Sequence, residues 1–124
     1  MTDPEQSGEA VRDFKNLVAW QVAMDIVDDV YNLTEQFPRH ERFGLAIQLQ
    51  RAAVSVPSNI AEGHGKNSKP EYIQALTISR GSLAEVETQL LIAVRRGYVS
   101  SDHPVFQGVQ RCYKLLHGLI KSLR

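Results

Sequence analysis

The residues with the most obvious chemical potential lie between positions 48 and 63. On an ideal helix, five polar side chains in this stretch project within about 80° of one another; they are Gln48, Arg51, Ser55, Asn59 and Glu62. Polar groups among apolar neighbours need hydrogen-bond partners. Two interpretations follow: a contact surface for a ligand or RNA, or a network that fixes how this helix packs. We favour the network, because polar core residues often fix helix register.

A second polar set follows about thirty residues later and is the predicted counterpart of the first. It consists of Ser79, Gly81, Ser82, Glu85 and Gln89. A glycine inside a helix costs about 1 kcal/mol, and close packing of another backbone is the usual compensation. We therefore expect Gly81 and Ser82 to lie where another helix approaches closely.

Catalytic and metal-binding patterns are missing from the sequence. Its four histidines, His40, His64, His103 and His117, lack the spacing of metal ligands. The single cysteine, Cys112, falls on an apolar helix face, which predicts a buried and unreactive thiol. Gly65 to Ser68 lack the upstream glycine and the preceding strand of a phosphate-binding loop. The sequence thus predicts a protein that is not an enzyme and binds no metal or cofactor.

The charge of the chain is zero overall but is unevenly distributed. Fourteen basic residues balance fourteen acidic ones, which excludes a strongly basic nucleic-acid-binding domain. Residues 1–62 carry five basic and ten acidic side chains, and residues 63–124 carry nine and four, so the two halves are −5 and +5. The candidate contact residues for RNA or another partner are Arg51, Lys66, Lys69, Arg80, Arg95, Arg96, Arg111, Lys114 and Lys121. The alternative is an ordinary solvated face that the first helix neutralises.

Four helical segments follow from the spacing of apolar residues. They cover about residues 16–36, 39–64, 68–96 and 102–123, after a polar N-terminal stretch, residues 1–15, that we expect to be mobile. Pro57 lies within the second segment and predicts a kink there. Short connections favour an all-α, antiparallel up-down-up-down four-helix bundle over residues 16–124.

Local signals predict where the later helices begin and end. Ser68 and Glu71 have the spacing of a capping box, and Gly97 supplies a left-handed stop. Ser101 or Asp102 is expected to cap the fourth helix. The apolar face of that helix is wide, which suggests a partner subunit. No apolar run approaches the roughly 20 residues of a membrane span, and the acidic N-terminus is unlike a signal peptide, so we expect a cytoplasmic protein without membrane contact.

Several stretches together resemble a known family. They are Trp20, Phe37-Pro38, Glu41 to Leu45, the segment from Gln48 to Gly63, Gly81 to Leu90, and Gly97-Tyr98. This pattern resembles the bacterial 23S rRNA intervening-sequence proteins, which are related to the accessory variability proteins of diversity-generating retroelements. The signature residues are Trp20, Pro38, Gln48, Ser55, Pro57, Asn59, Glu62, Gly63, Gly81, Ser82, Glu85 and Gln89.

The resemblance implies a four-helix bundle that forms a homo-oligomer, with a pentamer favoured. It also implies a non-enzymatic accessory role with structured RNA or an RNA-associated protein. Two further hypotheses remain: a scaffold that binds another protein without nucleic acid, and a small-ligand binder that uses Arg51, Asn59 and Glu62.

Overall fold

The computed structural model describes residues 13–124. Four α-helices account for most of this range, and no residue of it is in a β-strand. The helices are α1 (Val18–Thr34), α2 (Leu45–His64), α3 (Lys69–Arg95) and α4 (Val105–Leu123), with short 3-10 helices at Phe14–Asn16 and Arg39–Glu41. The predicted all-α fold is confirmed.

Side-chain contacts establish the directions of the helices. Ser55 of α2 contacts Ser82 of α3, and the next residue of α2, Val56, contacts Ser79. The contacts move towards lower residue numbers in α3 as they move towards higher numbers in α2, so the two helices are antiparallel. Gly108 of α4 lies against Ile26 of α1, and Leu119 lines a pocket with Leu17, so these helices are antiparallel as well. With short connections between consecutive helices, this gives the predicted up-down-up-down order.

All four helices contribute apolar side chains to one core. Ile26, Leu49, Leu83, Leu90 and Leu116 are almost completely buried. Each such side chain stabilises the fold by about 1.5–3 kcal/mol relative to an exposed position. The core therefore fixes which face of each helix is left for other contacts.

Residues 13–15 of the predicted mobile stretch lie within the described region. Residues 1–12 of the predicted mobile stretch lie outside the described residues. The carboxylate of Asp13 accepts a hydrogen bond from the backbone N–H of Lys15 at 2.9 Å and caps the first 3-10 helix. Phe14 in that helix packs edge-on against the half-buried Trp20, with ring centroids 5.4 Å apart. Residues 13–16 thus have a defined local structure.

The predicted signals at the two ends of α3 are confirmed. The Ser68 hydroxyl accepts a hydrogen bond from the Glu71 backbone N–H at 3.3 Å and donates one to the Glu71 carboxylate at 2.9 Å. At the other end, Gly97 has φ +80°, the left-handed conformation that glycine adopts without strain.

The predicted cap of α4 is wrong. The ring Nδ1 of His103 accepts the hydrogen bond from the Val105 backbone N–H at 3.0 Å. Asp102 instead accepts a hydrogen bond from the Ser100 hydroxyl in the preceding turn. The helix therefore begins at Val105, directly after Pro104, and a histidine takes the place of the usual short polar cap.

Pro57 is buried within α2, which is helical without a break from Leu45 to His64. A proline removes one backbone donor and crowds the carbonyl four residues earlier, here that of Ala53. Ser55 and Asn59 are polar side chains close in sequence to the carbonyl freed in this way. The Asn59 amide donates instead to the carbonyl of Ser55, at 2.8 Å. The kink at Pro57 remains a prediction.

Candidate nucleic-acid interface

The outer face of α4 carries three of the candidate cations. Because Val109, Cys112 and Leu116 are buried in the core, residues on the opposite side of this helix face outward. Arg111, Lys114 and Lys121 are all exposed there, and the sequence from 105 to 124 contains no Asp or Glu. The two ion pairs of the described residues, Lys15–Asp13 and Lys66–Glu62, do not involve α4. The ion pairs of the described residues therefore leave these three cations unpaired, while Glu87 of α3 contacts α4 at Gln110 and Tyr113.

The remaining candidate cations do not extend this face into a single basic surface. Lys66 and Lys69 lie at the connection between α2 and α3, where Lys66 pairs with Glu62 at 3.7 Å. Arg95 and Arg96 lie at the other end of α3, about 40 Å away for a helix of 27 residues. Arg51 and Arg80 occupy different faces of the bundle. The sequence pattern identified charges but could not place them on one surface.

The connection between α1 and α2 forms a basic and aromatic corner that the sequence analysis missed. Phe43 is 82% exposed, the most exposed of the large apolar side chains described. The Arg42 guanidinium lies over its ring, 5.3 Å from the centroid. Beside them is a pocket of about 470 Å³, lined by residues that include Arg39, Phe37, Pro38 and Gln50. We call Arg39, Arg42 and Phe43 with this pocket the aromatic corner.

Tyr98, which follows the C-terminal end of α3, contacts the segment that contains the aromatic corner. Its ring packs against Phe37 with centroids 5.3 Å apart, and its hydroxyl donates to the Glu41 carboxylate at 3.0 Å. Burial and this carboxylate raise the pKa of Tyr98, whereas the nearby Arg96 lowers it. Arg96 thus lies at the same end of the bundle as the aromatic corner.

Glu41 is occupied by contacts within the fold. Besides the hydrogen bond from Tyr98, its Oε1 accepts one from the Leu45 backbone N–H at 3.2 Å, at the start of α2. A carboxylate held in this way contributes order to the loop. Because it is held on two sides, it is less free to approach Arg39 and Arg42.

The polar stripe of α2 divides into a buried part and an exposed part. Ser55 contacts the Ser82 hydroxyl at 2.8 Å, and the Asn59 amide donates to the Ser55 hydroxyl at 2.9 Å. Ser79, which is fully buried, donates to the Val56 carbonyl at 2.8 Å. These bonds tie α2 to α3, which supports the structural interpretation for this part of the stripe.

The exposed part of the stripe borders a groove between α2 and α3. Its cavity is about 300 Å³, and its lining residues are Gln48, Arg51, Ala52, Ser55, Ser82, Glu85 and Gln89. Gln48, Arg51 and Glu85 are exposed. The Oε1 atom of Gln89 is buried and has no hydrogen-bond partner among the described residues. The two polar sets therefore meet as the sequence predicted, and the groove retains polar groups for a ligand.

Close packing of α2 on α3 depends on Gly63 rather than on Gly81. A Cβ atom on Gly63 would lie 2.7 Å from the Cβ of Ala75 and 3.0 Å from the ring of Tyr72. A Cβ on Gly81 would have no atom of the described chain within 4 Å, apart from its own helix backbone and chain neighbours. The expectation that Gly81 serves packing within the bundle is therefore wrong, because this glycine faces outward.

Neither a reactive cysteine nor a group of side chains that could hold a metal ion occurs among the described residues. Burial raises the pKa of the Cys112 thiol to about 12, so the thiol stays protonated at neutral pH, as the sequence predicted. Between residues 13 and 124, no three His, Cys, Asp or Glu side chains group in a way that could hold a metal ion. In the same range, no helix has both the length and the apolar character to cross a membrane.

Comparisons with known proteins agree with the fold. A family model described as "23S rRNA-intervening sequence protein" matches residues 15–120. A crystal structure of a protein with unknown function from the S23 ribosomal protein family of Bacteroides thetaiotaomicron has a TM-score of 0.77 and 22% sequence identity. The match covers 84% of this chain and 96% of that chain, and at this identity it supports the fold alone. None of the curated proteins matches the chain.

Proposed function

The chain belongs to the 23S rRNA-intervening sequence protein family, and on this premise we propose that it is a non-enzymatic, homo-oligomeric accessory protein that binds RNA in the cytoplasm. The RNA contact is the aromatic corner together with Arg95 and Arg96 at the same end of the bundle. An exposed Phe43 beneath Arg42, beside a pocket lined by Arg39, is the observation that carries this assignment.

The chemistry of the corner suits an unpaired RNA base. Single-stranded segments are recognised by stacking their bases on aromatic rings and arginine planes, while cations contact the phosphates. Phe43 offers such a ring, and Arg42 offers both a plane and a charge. The adjoining pocket of about 470 Å³ has room for a base. Arg39, Arg95 and Arg96 supply further charge for the backbone.

Oligomerisation would strengthen RNA binding by repeating the contact of a single subunit. The chain has no net charge, so assembly creates no overall attraction for RNA. A cyclic oligomer, however, repeats each local group of cations once per subunit and presents the groups at the same end. In the pentamer that we favour, five aromatic corners would act together, and their linkage would raise the overall affinity above that of one corner.

A protein scaffold without nucleic acid is the second candidate. Exposed Ile78, Leu91 and Ile92 support it, because apolar side chains on a folded surface often mark protein contacts. Such a scaffold would capture its partner equally well before and after nuclease treatment. The third candidate, a small-ligand site, would use the α2–α3 groove around Arg51 and Gln89.

Fluorescence anisotropy with a labelled, structured rRNA fragment tests the proposal. We expect the logarithm of the binding constant to fall linearly with the logarithm of salt concentration. Phe43→Leu should weaken binding by about 1–3 kcal/mol, the usual value of one base–aromatic stack, and leave the salt slope unchanged. Arg42→Gln should reduce the slope, because a charge is lost.

Lys114→Gln is the matched charge control, since Lys114 is exposed on α4 and away from the corner. It should leave binding close to that of the wild type. Absence of binding at low salt would refute the RNA role. Binding that depends on Lys114 and Lys121 but not on Phe43 would refute the aromatic corner and place the contact on α4.

A further inference from the structure

The outward face of α3 carries a continuous row of small residues. Thr77, Gly81, Ala84 and Thr88 follow one another at steps of four, three and four, and all are exposed. On an ideal helix they lie within about 60° of one another. The average step is about 3.7 residues, close to one helical turn, so the four residues form a stripe along which another helix can pack. We call these four residues the α3 seam.

The seam is less polar than its composition indicates. The hydroxyls of Thr77 and Thr88 donate to the carbonyls of Ile73 and Ala84 in their own helix, each at 2.8 Å. Their hydrogen-bonding capacity is thus partly used within α3. Beside the seam, Ile78, Leu91 and Ile92 are 50%, 51% and 42% exposed. The face is therefore apolar enough to favour removal from water.

Gly81 gives the seam an open centre. Among the described residues, no atom beyond its own helix backbone and chain neighbours comes within 4 Å of the position that its Cβ would occupy. Glycine weakens a helix interior relative to alanine, and the fold of a single chain gains nothing from it here. A helix from outside the chain could approach most closely at this point.

A row of large residues with the same spacing lies on α1. Trp20, Met24, Val27 and Tyr31 follow at steps of four, three and four; Trp20 and Val27 are half-buried, and Met24 and Tyr31 are 37% and 44% exposed. We call these residues the α1 row. The row and the seam each span eleven residue steps, about 16 Å along a helix. Large side chains on one match small ones on the other.

We infer that the α1 row of one copy of this chain packs on the α3 seam of a second copy. The inference rests on the homo-oligomer of the proposed function and identifies its interface. Charge favours this occupant, because α1 carries three Asp and no Lys or Arg, whereas α3 has three acidic and three basic residues, with Arg80 beside the seam. Two α1 helices in contact would therefore repel each other, whereas α1 and the side of α3 that carries Arg80 attract.

Two charged residues next to the matched rows provide a specific pair. Asp28 lies between Met24 and Tyr31 on α1, and Arg80 lies between Thr77 and Ala84 on α3. Neither belongs to the two ion pairs within residues 13–124. In the assembly, the Asp28 carboxylate accepts hydrogen bonds from the Arg80 guanidinium.

The symmetry of the assembly follows from the two surfaces being different. A contact between unlike patches is head-to-tail, and it repeats until the ring closes. Each subunit then gives its α1 row to one neighbour and its α3 seam to the other. This arrangement leaves the outer face of α4 and the aromatic corner outside the interface.

Gly81→Gln tests the interface by light scattering at a series of protein concentrations. The new side chain fills the open centre of the seam without a clash inside the chain, and glutamine favours a helix more than glycine does. We expect the variant to need at least about tenfold more protein than the wild type to assemble. Gly118→Gln is the matched control, because Gly118 is also an exposed helical glycine with open space at its Cβ. It should assemble like the wild type.

A charge exchange tests the specific pair. Asp28→Arg and Arg80→Asp should each weaken assembly, and the two changes in one chain should restore it. Normal assembly of Gly81→Gln would overturn the inference and leave a homo-oligomer with another interface. A monomeric wild type would refute the homo-oligomer itself. RNA titrations of the same samples test the proposed function separately, because the aromatic corner is intact in these variants.

Discussion

Helices α3 and α4 separate polar from apolar residues to different degrees. α4 buries Val109, Cys112 and Leu116 and exposes Arg111 and Lys114, as expected of a surface helix. α3 buries Ser79 and Ser82 and exposes Ile78, Leu91 and Ile92. The fold of one chain accounts for the apolar side of α4. It explains only the inward side of α3, where the serines bond to α2, and this contrast is why we assign the outward side to another molecule.

Replacing one leucine of each helix by alanine should give the largest difference in the free energy of unfolding. Leu116→Ala should lower the free energy of unfolding by about 3 kcal/mol, because the side chain is completely buried. Leu91→Ala should change it by less than about 0.5 kcal/mol, because Leu91 is 51% exposed. Urea unfolding followed by circular dichroism measures both.

These variants are best compared in the Gly81→Gln background, where assembly should contribute little to stability. In the wild-type background, Leu91→Ala should also weaken assembly, because Leu91 is exposed beside the seam. Leu116 is buried in the core and does not contact the second copy. If Leu91→Ala destabilised the isolated chain as much as Leu116→Ala, the contrast between the two helices would be lost.

The buried serines of α3 should contribute less to the free energy of unfolding than Leu116 does. Ser79→Ala removes the hydrogen bond to the Val56 carbonyl and should cost about 1 kcal/mol. Ser122→Ala is the control, because its exposed hydroxyl bonds only to its own helix, and it should cost less than about 0.5 kcal/mol. Equal stability of Ser79→Ala and the wild type in urea unfolding would show that the buried network does not hold α2 on α3.

Sequence reasoning succeeded where a feature depends on neighbours in the chain. The four helices follow from apolar spacing, and the capping box of Ser68 and the turn at Gly97 need only a few adjacent residues. The cap of α4 was missed because His103 is an uncommon capping residue and Asp102 bonds to Ser100 instead. That choice depends on side-chain rotamers, which the sequence does not specify.

The candidate site was harder to predict because it depends on which helix faces are covered. The meeting of the two polar sets was predicted, since both lie on helices expected to be adjacent. The role of Gly81 was not, because its position could not be assigned to the inside or outside of the bundle. Phe43 was likewise overlooked, since an apolar residue near a helix start is usually buried. Its exposure emerges only from the three-dimensional arrangement of the connection.

Cross-linking between copies tests the central claim most directly. Met24→Cys chains would be mixed with chains carrying either Gly81→Cys or Ala84→Cys and oxidised mildly, with the buried Cys112 as an unreactive background. Because Met24 and these positions lie near the middle of the α1 row and the α3 seam, at least one mixture should form a disulfide-linked dimer in high yield. Failure of both mixtures, with the chains still oligomeric by light scattering, would contradict the packing of α1 on α3.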